Sequence, residues 1–351
     1  MIRRRQFIGS VAAAYATIST SQIFANTIPS KDPNWRCDVV STVPHNFAGR
    51  HPVVTGVSLQ PKGDLIAIAG DDHAVSIYDR IKKQYVQHLS HHRDWIRSVK
   101  FSPDGTQLVT AGNDRTMRIW NVGSWDQPLM TRKQPNAIIE TVFANSGKLL
   151  ATVGFDSFLR IYDLEGGTQS QLLECACGDN HAVAFSKDGK LLAAAGRSGT
   201  IRVWQTADWK KITEFKPHRK RIRSLEFHPN GQLISASDDQ TIKLTDPKIT
   251  STSVSLPRIA SKLYSTAMIQ GRVLATGGSD NQIQLWHTDN QKKAGVLKGH
   301  TGTVSCLDYQ GGILVSGSFD THVRIWHVED QDIQTGNRQT RLGNGWNPKL
   351  K

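Results

Sequence analysis

Along most of the chain, apolar and polar positions alternate in short bursts, and a cluster of turn-forming residues ends each one. Residues 96–120 show the unit: IRSVKF alternates, SPDG stops it, QLVTAG resumes, NDRT turns the chain again, and MRIW follows. A period of two over five or six residues predicts a half-buried strand rather than a helix. Proline presets φ and glycine supplies the left-handed position that such a turn requires. A fourth, less regular strand is expected before the next unit, as in QLLECA at 171–176. Strands this short cannot bury both faces alone, so one unit is not a domain.

The unit recurs. HRDWIRS at 92–98 returns as HRKRIRS at 218–224, and an aromatic closes an apolar pair at Tyr78, Trp120, Tyr162, Trp204, Trp286 and Trp326, with Thr245 in the same register. Successive intervals across these seven positions are 42, 42, 42, 41, 41 and 40 residues. Six residues before them stand Asp72, Asp114, Asp156, Ser198, Asp239, Asp280 and Asp320, and the turn glycines Gly63, Gly105, Gly147, Gly189 and Gly231 repeat every 42 residues. A fixed period of this length points to radially or linearly stacked sheets.

With GH at 299–300 before IW at 325–326, and HH at 91–92 before IWN at 119–121, the chain resembles the WD40-repeat family. The resemblance implies an all-β, seven-bladed propeller over residues 36–327, its ring closed by the extended RCDVVST at 36–42 joining the last blade. Such closure removes two open sheet edges. It also implies roles for the recurring polar residues. His92, Thr110, Asp114 and Trp120, their copies His300, Ser316, Asp320 and Trp326, and the partial set His218, Ser235 and Asp239 would form intrablade hydrogen-bond networks rather than a hydrolytic triad. The fourth blade has Ser198 for Asp, the fifth Thr245 for Trp, and the third and sixth lack the turn histidine. A frame tolerates such losses; a catalytic centre does not.

Other chemistry is sparse. GGSDNQ at 277–282 and AGRSGT at 195–200 open strands and not helices, so neither reads as a phosphate loop. Cys37, Cys175, Cys177 and Cys306 offer no Cys-x-x-Cys spacing, and Cys175 and Cys177 are too close along a strand to bridge one another. No cofactor, metal or catalytic residue is expected. An enzyme or cofactor-binding propeller using the central funnel is the alternative from another class, and it would need carboxylates or histidines converging there.

The family pattern places variable residues on one rim, and those positions predict a partner-binding surface of Arg93, Trp95, Asn113, Phe155, Arg197, Arg219, Arg221 and Phe319. Arginine and exposed aromatics are the types enriched at interaction hot spots. The expected function is a non-catalytic protein–protein interaction scaffold, monomeric by itself, whose partner offers an acidic or flexible peptide segment. A formal charge of +13 also suits an anionic envelope lipid or polymer. Residues 1–25 carry Arg3, Arg4 and Arg5 before an Ala- and Ser-rich apolar run, which reads as an export signal of twin-arginine type with a small Ala25 at its end. A linker at 26–35 and a polar tail at 328–351 flank the repeats. Export predicts a periplasmic or similar bacterial compartment, where nucleic acid is not an expected partner.

Overall fold

The computed structural model describes residues 35–42 and 51–328. The expected signal (1–25), linker (26–35) and tail (328–351) lie outside the described residues, apart from Trp35 and Val328, which are paired at the edge of one sheet. Within the described residues, 28 strands form seven four-stranded antiparallel sheets and there is no helix. Six sheets take four consecutive strands each. The seventh takes three, at Val304–Gln310, Ile313–Ser318 and His322–Val328, and its outermost strand is the N-terminal Trp35–Ser41. Ring closure therefore follows the sequence expectation, with Cys37 opposite Trp326 and Val40 opposite Val323.

The blades bury their faces against one another. Ala67, Ala69, Val75 and Ile77 of the first pack on Ile96, Val99, Phe101, Leu108 and Trp120 of the second. At the closure, Val54, Val57 and Tyr78 of the first blade pack on Ile313, Val315, Val323 and Ile325 of the seventh, with Val40 of the N-terminal strand among them. Alternation along each strand is what lets one sheet feed two such cores.

The seven inner strands are Val54–Leu59, Ile96–Phe101, Ile138–Phe143, Asn180–Phe185, Ile222–Phe227, Leu263–Ile269 and Val304–Gln310. They surround the channel, and side chains link them around the ring. The backbone N–H groups of Phe101, Thr141, Val183, Met268, Leu307 and Leu59 donate to Ser58, Ser98, Glu140, Glu226, Ser265 and Asp308 of the preceding blade, at 2.7–3.2 Å. At the fourth-to-fifth junction, Ala182 and Ala184 occupy the corresponding positions, and an Arg221–Asp179 ion pair of 2.8 Å joins the blades instead.

Turn chemistry departs from expectation once. Gly105 sits at φ 75°, as the SPDG turn requires, but in the first blade Lys62 takes the left-handed position at φ 57° and Gly63 does not. Cys175 and Cys177 lie beyond the end of the Thr168–Glu174 strand rather than within it, and neither is disulfide-bonded.

Candidate functional site

The polar networks come first, because their chemistry decides what kind of site the molecule can carry. His92 Nδ1 lies 2.9 Å from Asp114, and Nε2 lies 2.8 Å from the Thr110 hydroxyl. The Trp120 indole donates to the same hydroxyl at 3.1 Å. A carboxylate only accepts, so Nδ1 carries the proton, and Thr110 donates to Nε2 while accepting from Trp120. The seventh blade repeats the arrangement with His300, Asp320, Ser316 and Trp326 at 2.9, 2.8 and 2.9 Å. In the fifth, His218 bonds Asp239 and Ser235, but Thr245 stands where the indole would be and its hydroxyl has no partner. In the third blade Gln134 replaces histidine and donates to Thr152 at 2.8 Å.

Burial lowers the pKa of His92, with the Asp114 hydrogen bond and charge opposing it. Burial would raise Asp114, but the His92 hydrogen bond and charge and the N–H donors of Thr116 and Arg93 outweigh it and hold the carboxyl well below its usual range. Asp239 and Asp320 are lowered for corresponding reasons. These groups resemble a serine hydrolase only in composition. Thr110 and Ser316 have 0% exposure, so neither hydroxyl can meet a substrate.

The second cluster faces solvent. Every inner strand carries a β-bulge at one position, seen as register shifts between Val54/Gly56, Ile96/Ser98, Ile138/Glu140, Asn180/Ala182, Ile222/Ser224, Leu263/Ser265 and Val304/Cys306. The inserted residue is unpaired and turned out of the alternation. All seven inserted residues (Thr55, Arg97, Ile139, His181, Arg223, Tyr264 and Ser305) line one cavity of about 680 Å³ at the mouth of the channel. The fold thus presents a ring of side chains, one from each blade, on a backbone fixed by hydrogen bonding.

This geometry sorts the predicted rim residues. Trp95, Phe155, Arg221 and Phe319 line the cavity, and the three aromatics are 39%, 46% and 47% exposed. Arg93, Arg197 and Arg219 are exposed but do not line it. Asn113 acts indirectly, its carbonyl accepting from Arg97 Nε at 3.0 Å. No acidic residue lies within four positions of Arg221 along the chain. In the fold Asp179, 42 residues upstream, pairs with it. None of the seven bulge-ring residues is in the predicted set, including the four with large polar or aromatic side chains, Arg97, His181, Arg223 and Tyr264. The signal for them was the residue after the first buried position of each inner strand, which strict alternation hides.

Within the mouth the polar groups are braced. Arg223 makes two contacts with Asp238, at 3.0 and 3.1 Å, and stacks 5.0 Å from the Tyr264 ring centre. Arg97 stacks 4.9 Å from the Trp95 ring centre. His181 Nε2 lies 2.7 Å from Asp179, and its ring meets Phe155 edge to face. Burial, aided by the Arg221 and Arg223 charges and opposed by Asp179, pulls His181 down to about 4, so it is neutral at neutral pH. Deeper in the channel, burial pushes Glu140 and Glu226 up to about 7, in both cases opposed by Lys100. Among the described residues no group of three or more His, Cys, Asp or Glu is placed to hold a metal ion.

A seven-sheet ring with His–Asp–Ser/Thr–Trp brackets defines a repeat propeller, and sequence comparison agrees. The profile of the WD domain, G-beta repeat, matches residues 41–79, 83–121, 177–205, 209–246 and 291–327, about half of the chain. The chain belongs to the WD40 family, whose propellers generally serve as non-catalytic scaffolds that bind other proteins. Similar curated proteins include Mitochondrial division protein 1 of Schizosaccharomyces pombe, 38% identical over 80 residues, covering 22% of this chain and 12% of that protein. Coronin-like protein crn1 of the same organism is 30% identical over 93 residues, covering 26% and 16%. Myosin heavy chain kinase C of Dictyostelium discoideum is 27% identical over 104 residues, covering 29% and 13%. The matches thus span less than a fifth of each relative's length and carry only the repeat.

Proposed function

We propose that the protein is a non-catalytic scaffold, exported by residues 1–25, that holds a protein partner across the mouth of its channel. The observation that carries this reading is convergence. Trp95, Phe155 and Phe319 come from three different blades, are exposed, and line the same cavity. Large aromatics kept half in water around one concavity are characteristic of interaction sites, and they supply most binding energy where they become covered. A non-catalytic role is supported by the inward burial of the network hydroxyls, which leaves the triad-like residues in the frame.

The test is affinity capture by the full chain from its native extract, beside the double variant Trp95→Ala, Phe319→Ala. The variant should lose a specific protein partner by about tenfold or more while its melting temperature stays within about 2 °C. Equal capture by both proteins would overturn the rim assignment. If capture is equal but the chain is retained on acidic vesicles in a salt-sensitive manner, the face serves an anionic surface instead. Export is tested separately by fractionation, in which deletion of residues 1–25 should hold the protein in the cytoplasm; an unchanged distribution would remove that part of the proposal.

A further inference from the structure

We propose that Arg97 seats one carboxylate, from an aspartate or glutamate side chain in the middle of an extended segment of the partner. This deepens the scaffold reading and rests on it.

The cations of the mouth are unequally compensated. Arg221 is paired with Asp179 and Arg223 with Asp238. Arg97 is half-buried, and among the described residues no carboxylate lies within ion-pair distance of it. Its Nε is held by Asn113 and its guanidinium plane is stacked on Trp95. The fork is therefore positioned before any ligand arrives, and among the described residues neither of its terminal nitrogens is hydrogen-bonded to a protein acceptor. Burial disfavours the Arg97 cation, the nearby Asp94 charge offsets part of that cost, and Arg223, on the fifth blade, adds to it. A bound anion relieves both terms.

The charge count selects the anion. Arg221 and Arg223 are neutralised by their partners, and the other charged groups lining the cavity are two cations, Arg97 and Lys100, and two carboxyls, Asp71 and Glu140, so there is little net positive charge to hold a dianion. A phosphate would bring nearly two negative charges towards a mouth that also holds Asp71 and, through their arginines, Asp179 and Asp238. A planar carboxylate also fits a guanidinium fork with two parallel hydrogen bonds. The aromatics select its position in the partner. Phe319 lies on the seventh blade, Trp95 on the second and Phe155 on the third, so apolar surface flanks the seat on more than one side. A side chain in mid-segment leaves neighbours to cover both flanks, whereas a chain terminus would cover one.

The experiment uses cellulose-bound arrays of random nonamers whose central residue is Glu, Asp, Gln, Ser or phosphoserine, with one further set ending in a free carboxylate, probed with the full-length protein. Glu- and Asp-centred sets should retain about tenfold more protein than the Gln-centred set, the factor expected of a charge-assisted pair. Arg97→Gln should erase that preference, and Arg97→Lys should weaken it while keeping the charge, so a folding defect in one variant does not decide the result. Arg132→Gln, on an outer strand, should preserve it. Equal retention of Glu and Gln sets, including retention of neither, overturns the seat. So does a preference that survives Arg97→Gln, a stronger signal from phosphoserine, or a stronger signal from the free chain end. If extract capture is lost in the Trp95→Ala, Phe319→Ala protein but not in Arg97→Gln, the rim reading stands and the seat alone falls; if it is lost in neither, both fall.

Discussion

Asp114 accepts from His92, from the backbone of Arg93 and from that of Thr116, and the whole bracket is shut away from solvent on its hydroxyl side. Its value to the fold lies in what removal would leave behind. In the seventh blade, Asp320→Ala would strand the buried His300 Nδ1 donor and the N–H of Thr301, at a cost of about 3 kcal/mol in urea unfolding. A loss under about 0.5 kcal/mol would contradict the structural role. The pH profile follows from opposite shifts. The lowered aspartates stabilise the fold above their ordinary pKa, and that contribution is lost as pH falls through the folded values. His92 and His300 are also lowered, so their contribution is complete above the ordinary histidine value and declines below it. Glu226 is raised to about 7, so its contribution is complete below the ordinary glutamate value and is lost as pH rises to 7. Glu226→Gln should keep an acceptor for Met268 N–H, raise stability at pH 8 by on the order of 1 kcal/mol, and flatten the profile between about pH 4.5 and 7. A variant profile parallel to wild type would show that the raised carboxyl is not felt by the fold.

At the scale of the element, the strand Trp35–Ser41 does the closing. Val40 is 1% exposed, and Val40→Asp would place a charge in the core shared by the seventh and first blades. Several kcal/mol of destabilisation should appear in thermal melting, with early proteolysis at that seam. Wild-type-like melting would mean the ring closes without this strand. The same strand was legible in advance, since RCDVVST is an isolated alternating stretch in a seven-unit chain that leaves one sheet a strand short. The brackets were legible too, because His, Ser or Thr, Asp and Trp recur at fixed separations. The bulge ring was not. Arg97, His181, Arg223 and Tyr264 occupy the inserted position, and alternation assigns such a residue to the wrong face. Asp179 was missed as the partner of Arg221 for a related reason: local sequence is a poor guide where the neighbour sits one blade, 42 residues, away. The seam bonds from the Thr141 N–H to Ser98 and from the Val183 N–H to Glu140 span nearly the same offset, 43 residues. A search at one repeat length would have found all three.

For the whole molecule, division of labour follows from symmetry. What repeats around the ring, the bracket and the seam bonds, is satisfied internally and holds the frame. What varies, the bulge residues and the rim aromatics, collects at the one mouth where seven strand starts meet. The most direct measurement is hydroxyl-radical footprinting of the full-length protein alone and with its captured partner. The account predicts joint protection of Trp95, Phe155, Tyr264 and Phe319, with Phe158, Leu172 and Ile249, which are exposed but do not line the mouth, unchanged. Protection of Phe158, Leu172 or Ile249 with the four mouth residues still reactive would contradict it.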